Sequence, residues 1–516
     1  MLRRMMGKGK WIAAALSLVA LGATSSISLA GKANDTLSWI SRYPIDAIDP
    51  YYNTAREAIL INSQLVWDTL IWRDPDSGEY KPLLAKSWKW VDDTTLDFTL
   101  RDDVKWHDGK PFNADDAVYT ISRVTGPDAK IPPAVAWTVA WIKGAEKTGD
   151  HSFRLLLKAP FPAALEHLAS LVPILPNNLY GSDNSPPSFA KAVGTGPYKV
   201  TAFTASARID LELTGRYFSG SPKGQPTIKR ITYRVVPDNS TQIAELLSGG
   251  ADWIWNVSLD QTPALAARKN VVVQSAETMR FSFITFNLRD REDGQKNPLQ
   301  DYRVRAAIAH ALDREKMIKA MVGEGAQVPL ASCYKSQFGC DQNVKQHAYD
   351  PTLAKKLLAE AGYSNGLTLD LQATRSRDWT AVVANYLNAV GIKTTINYIS
   401  FPAAEERRAK NQDQVYLLDN GWFSINDTSA VFNPFFTGTK ADSVPDPEFI
   451  GWVREASSVN DSEKRKAIFS KALNRMADRL YWFPMWTHPN FYAINADLDF
   501  KLYTDENPRF YFMKWK

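Results

Sequence analysis

Sulfur and imidazole are scarce in this chain. Of 516 residues only Cys333 and Cys340 are cysteines, and six are histidines. The histidines are scattered with no pair at ligand spacing, and no H-E-x-x-H or cysteine–histidine nucleophile pattern occurs. The familiar metalloprotease and thiol-enzyme signatures are therefore excluded, and no metal or cofactor is expected. Beyond residue 30 there is no run of about 20 apolar residues, which excludes a membrane-spanning helix there. Basic tracts interleaved with aromatics are also missing, so nothing points to nucleic acid.

What is present is a soluble globular composition, 45% hydrophobic and 23% charged, with 17 tryptophans. Most of those indoles must be core, yet so many also suit a cleft that reads ligands by stacking and by Nε1 hydrogen bonds. At roughly 150 residues per domain, the length predicts about three compact units. Residues 1–30 read as a cleaved signal peptide: Arg3, Arg4, Lys8 and Lys10 form a basic segment, Trp11 to Leu21 an apolar one, and Ser28-Leu29-Ala30 a cleavage site. No cysteine follows the apolar segment, so the expected product is exported without a lipid. Losing those basic residues takes the formal charge from +5 to about +1. In an exported chain the simplest reading of Cys333 and Cys340 is a disulfide, contributing about 2 to 3 kcal/mol through loop-closure entropy. A metal site on this pair would have only His347 nearby.

The stretch Trp90 to Val124 organises the rest. Leu96, Phe98 and Leu100 alternate with Asp97 and Thr99 as in a strand with one buried face. Asp108-Gly109 makes a turn, and Asn113 stands at a helix N-cap with Asp115 and Asp116 in the first turn, where the helix dipole favours anions. Ala117, Val118, Ile121 and Val124 then recur at helical spacing. This reads as scaffold. Further strands are predicted over Thr36 to Arg42, Ile228 to Val235, Met279 to Leu288, Leu367 to Ala373 and Ile392 to Tyr398. Helices are predicted over Ile59 to Leu70, Thr241 to Leu247, Trp379 to Val390 and Ser462 to Leu480, an α/β pattern. Asp301 and Asp350 read as helix caps, and His310 as structural. Gly194-Thr195-Gly196-Pro197-Tyr198 lacks the third glycine and the lysine of the nucleotide loops, so it reads as a turn.

The runs LAKSW (84–88) and WHDGKPFNADDAVYTISRV (106–124) resemble the signature of the periplasmic peptide, opine and nickel solute-binding proteins of ABC importers (family 5, cluster C). So do HSFRLLLKAPFPAAL (151–165), GTGPY (194–198), the turn GGAD (249–252), MRFSFITFNL (279–288), YDPTLAKKLLAEAG (349–362) and FPMW (483–486), in the same order. The resemblance implies a type II two-lobed binding-protein fold with a small domain inserted in the first lobe and a two-strand hinge. The domains expected from it are lobe I at 31–67, 195–285 and 491–516, the inserted domain at 68–194, and lobe II at 286–490. It also implies a non-enzymatic periplasmic receptor, monomeric, that captures a peptide, an opine or a sugar conjugate and docks on a permease at the inner membrane. An oligosaccharide receptor of the same fold stays open, as do an exported hydrolase and a periplasmic chaperone. Nickel is disfavoured by the scattered histidines.

Expected ligand contacts follow from the same resemblance. They are Tyr43 in the proline-broken loop that lines the family's cleft, Trp255 and Asn256 at the far end of a strand, Met279 in the hinge strand, and Asn420, Trp422, Asn426 and Asp427 around the Gly-Trp segment. Arg377, with Arg375, precedes a helix N-terminus where an anion would be favoured. In the family's peptide binders an aspartate after Gly-Trp holds the peptide ammonium. Here Ile425 stands in its place, with Asp427 and Asp419 as substitutes. That departure puts ordinary dipeptides in doubt.

Overall fold

The computed structural model describes residues 31–516 except 54, 55, 128, 130, 178–191, 422 and 423, and it leaves out the side chains of 133 and 134. The signal segment and Trp422 thus lie outside the described residues.

Two long strands run antiparallel through the centre of the molecule, Val271–Phe286 and Trp482–Asn495, paired from Val271 opposite Asn495 to Thr285 opposite Trp482. Their sequences are rich in β-branched and aromatic residues, which favour extended backbone. The first is longer than the alternation at 279–288 alone predicts, because it continues through the polar run before Met279. Pro484 and Pro489 sit inside the second strand, where a ladder hydrogen bond is lost. The register shifts between Glu277 and Phe281 and between Ser282 and Phe283, opposite these prolines, absorb that loss.

These strands belong to one ten-stranded sheet. On one side follow Trp253–Trp255, Thr36–Ser41, Arg230–Val235, Arg208–Leu213 and Tyr198–Thr204; on the other, Val415–Asn420, Leu367–Ala373 and Ile392–Tyr398. Each side has its own large apolar core. Trp39, Trp67, Tyr198 and Trp253 anchor the first, and Phe283, Phe432, Phe469 and Trp486 the second. A protein of two α/β lobes results, joined by two crossing strands.

A four-stranded sheet of Ala85–Asp92, Thr95–Leu100, Ser152–Leu157 and Ile142–Gly149 shares the first core. Beside it the helix Ala114–Thr125 starts at Asn113, whose side chain accepts from the Asp115 N–H while Asp116 accepts from the Asn113 N–H. The GTGPY turn meets this unit. A Cβ on Gly194 would lie 1.7 Å from the Val66 carbonyl oxygen, and one on Gly196 2.3 Å from that of Leu65, so the turn tolerates glycine alone. His107 ties the two motifs: the Gly194 N–H donates to its Nδ1 at 3.1 Å, and its Nε2 lies 2.8 Å from the Gly196 carbonyl. The close approach also ends the helix predicted over Ile59 to Leu70. It runs as Arg56–Leu60 and one wider turn, Ile61–Val66, and Trp67 is already extended.

Cys333 and Cys340 are bonded to each other, with 5.8 Å between their Cα atoms. None of the described helices is long and apolar enough to cross a membrane.

Candidate functional site

A cavity of about 290 Å³ lies where the two lobes, the small sheet unit and the crossing strands meet. Arg56 reaches it from the first turn of its helix, Arg73 from the end of the strand Ile71–Arg73, and Arg280 from the crossing strand beside the register shift. Asn420 comes from the end of Val415–Asn420, and Asp505, Arg509 and Tyr511 from the C-terminal segment. Trp72, Lys223 and Gln64 also line it.

The charges are arranged in three groups. Asp505 accepts from Arg509 through both oxygens at 2.6 Å and from Arg73 at 3.1 Å, and Arg73 also pairs with Glu166. Burial alone would raise the Asp505 carboxyl, but Arg509 and Arg73 outweigh it and hold it at about 2. Glu506 lies 3.0 Å from Arg56 and 3.5 Å from Arg280, while Asp419 lies 2.9 Å from Arg280 and 3.1 Å from Arg375. Both carboxyls stay below their ordinary values despite burial, because these arginines surround them. Lys223 pairs with Asp68 at 2.6 Å, fully buried. Six cations thus face five carboxylates, each carboxylate already engaged, and one positive charge is left in excess. His488 adds none: burial drives its imidazole down to about 3, and Ser282 is its hydrogen-bond partner at 2.8 Å.

The lobes touch across the cavity. Arg73 donates to the Ser424 carbonyl, the Ser424 hydroxyl to the Asp505 carbonyl, and the Asn426 N–H to Glu166 Oε1 at 2.9 Å. Asn460 Nδ2 donates to Asp93 Oδ1 at 2.8 Å farther out. A groove of about 580 Å³ lined by Tyr80, Trp90, Phe338, Asn426 and Asp427 runs outside this contact.

Of the residues expected at the site, Asn420 lines the cavity, while Asn426 lines the outer groove with its N–H on Glu166. Arg375 reaches Asp419, whereas Arg377 lies over the Tyr398 ring at 4.4 Å, away from the cavity lining. Trp255 packs among Trp39, Trp253 and Tyr492 in the first core, and Met279 is buried with its N–H on the Thr504 carbonyl at 2.8 Å. Tyr43 is an exposed ring beneath Arg42, and Asn256 is an exposed residue at φ 56° whose N–H donates to Asn490. Asp427 is held by Arg465 through both oxygens at 2.9 and 3.0 Å. The substitute for the ammonium-binding aspartate is therefore already paired. Arg56, Arg73, Lys223, Arg280, Asp505 and Arg509 were not read from the sequence as site residues. The available signal was a charge at position 280 followed by the largely apolar run Phe281 to Phe286, and a D-E-x-x-R run near the C-terminus.

Among the described residues no group of three or more His, Cys, Asp or Glu side chains could hold a metal ion. A bilobal sheet with a cavity between its lobes, lined by charged side chains, is the build of a protein that captures a small solute. The model of the bacterial extracellular solute-binding proteins, family 5 (middle region), matches residues 79–443. The chain belongs to that family. Heme-binding protein A of Haemophilus influenzae is 24% identical over 463 residues, 82% of each chain. A glutathione-binding protein of Salmonella typhi is 25% identical over 500 residues, 92% of each. Among solved structures, a dipeptide-binding protein of a Pseudoalteromonas species in complex with Met-Leu matches with TM-score 0.75 at 23% identity, covering 93% of this chain and all of that one. A Brucella suis protein in complex with Fe(III)-EDTA matches with TM-score 0.80 at 20% identity over the same shares. These likenesses establish the two-lobed fold.

Proposed function

We propose that this protein is the periplasmic substrate-binding component of an ABC importer, and that its solute is small, peptide-like or opine-like, and carries at least one carboxylate. It acts as a monomer, without turnover and without a cofactor, and hands the solute to a permease at the inner membrane. The observation that carries the reading is the excess cation in a cavity whose every carboxylate is already engaged by an arginine or lysine. An anion entering it finds the partly open faces of Arg56 and Arg280, with half-exposed Arg375 on Asp419 behind them, whereas an ammonium finds no free acceptor of full charge.

Size supports the same class. At about 290 Å³ the cavity lies at the small end of ligand pockets, fitting for a di- or tripeptide-sized solute and cramped for a macrocycle. Glutathione, named for one relative, is of this kind, with more carboxylates than amines. Closure is driven by contacts made to both lobes at once. Turning an open excess of 99:1 into a closed one takes about 5.5 kcal/mol of differential binding, within the roughly 8 kcal/mol of a micromolar ligand.

Native mass spectrometry of protein purified from its host periplasm tests the reading, followed by a thermal-shift panel of dipeptides, glutathione, opines and neutral oligosaccharides. Stabilisation by the acidic members without their consumption is expected. Stabilisation by neutral sugars alone, or conversion of a panel member to product, would contradict it.

A further inference from the structure

Segment 424–428 supplies lobe II's contacts to Arg73, Asp505 and Glu166, and its other side is held by Arg465, through Asp427, and by one short loop. Gln337 Nε2 donates to the Ile425 carbonyl at 2.9 Å, the Phe338 N–H donates to the Asn426 carbonyl at 3.1 Å, and Thr428 donates to the Phe338 carbonyl from its N–H at 3.1 Å and its hydroxyl at 2.7 Å. That loop is the one closed by Cys333–Cys340. Gln337 also stabilises the loop itself, because its Oε1 accepts from the Tyr334 N–H at 2.9 Å. Ser424, at the cleft end of the segment, has φ 59°, a conformation a serine keeps only when its surroundings enforce it.

We infer that the disulfide loop is a positioning element for closure: by hydrogen-bonding residues 425–428 from behind, it presents the Ser424 carbonyl and the Asn426 N–H to the opposite lobe at the spacing Arg73 and Glu166 require. The inference rests on the solute-capturing reading above. Its physical core is preorganisation. A segment that had to be ordered at the moment of closure would subtract that ordering free energy from affinity, and a loop braced by a covalent bond has it ordered beforehand. Gln337 is the positioning residue that separates this role from simple structural support. Gln337→Glu keeps the acceptor for the Tyr334 N–H but sets a carboxylate against the Ile425 carbonyl, so the loop survives while its grip on the segment is lost.

The test is a transfer-efficiency titration of the full mature chain with fluorophores on Asp150→Cys and Glu463→Cys. These exposed positions lie in the small sheet unit and in lobe II, outside the cavity. Glutathione and octopine are the probes, with thermal unfolding run in parallel. Gln337→Glu and the double variant Cys333→Ala/Cys340→Ala should each close at a probe concentration about tenfold higher than the wild-type pair. Gln337→Glu, which buries a carboxylate without a counter-charge, should lower the unfolding midpoint, and its closing concentration should rise by more than that loss accounts for. Closure at the wild-type concentration in both variants overturns the inference, and so does loss of closure only in proportion to lost thermal stability. A labelled wild type that closes with neither probe contradicts the receptor reading itself, and the positioning role falls with it.

Discussion

Arg465 grips Asp427 with two guanidinium nitrogens, at 3.0 and 2.9 Å, and neither side chain is more than 6% exposed. The Arg465 guanidinium also lies 4.7 Å over the Phe338 ring and donates to the Ala456 carbonyl at 2.7 Å. The carboxylate nearest to the family's ammonium-binding position is thus part of lobe II's own framework. Asp427→Asn should cost about 3 kcal/mol of stability, because it leaves a buried guanidinium without its counter-charge. Urea denaturation of lobe II measures this. Intact stability combined with lost solute affinity would return Asp427 to the binding site.

Arg375 is the cation beside the cleft with the least to lose structurally, since it is half exposed and pairs with Asp419 at 3.1 Å. Arg375→Gln should leave unfolding unchanged and weaken an acidic solute by about tenfold, near 1.4 kcal/mol, with a smaller dependence on salt. Calorimetry at two ionic strengths checks it. Unaltered affinity would place the solute's anion elsewhere in the cavity.

Acid should unfold the protein earlier than its carboxylates alone require. Burial drives the imidazoles of His167 and His347 down to about 4 and that of His488 to about 3, against about 6.5 in an unfolded chain. Below pH about 6.5 the unfolded chain takes up protons that the folded one refuses, so the stability present above that pH is lost as pH falls toward 4. Each histidine contributes a slope of about 1.4 kcal/mol per pH unit. Asp505, held at about 2, adds to the loss only below about pH 4. Denaturation midpoints at pH 7.5, 6, 5 and 4.5 should fall steadily, and a flat profile from 7 to 5 would show these histidines to be solvated.

The scaffold was legible in the sequence because its signals are local. Asn113 with Asp116, Asp350 with Pro351, and the alternation of Leu96, Phe98 and Leu100 each act within a few residues, and the elements form where those patterns stand. The helix predicted over Ile59 to Leu70 stops early for a reason no local pattern carries, the approach of Gly194 and Gly196 from more than a hundred residues away. The site was legible only in part. Of the residues the Gly-Trp segment pointed to, Asn420 lines the cavity, but Arg56, Arg73, Arg280 and Arg509 come from four separate stretches. Their meaning is their convergence on Asp505 and Glu506. Trp255 shows the opposite error: aromatic and near the cleft in order of sequence, it is core in space.

The most direct measurement is calorimetric titration of the mature protein with the acidic solute that stabilises it, in three forms: unmodified, esterified at its carboxylates, and acetylated at its amine. Esterification should abolish binding, because the cation excess around Arg56, Arg280 and Arg375 is then unmet. Acetylation should leave affinity within about tenfold of the parent. Binding that survives esterification and vanishes on acetylation would mean the cavity reads an ammonium group, and would contradict the anion-binding site.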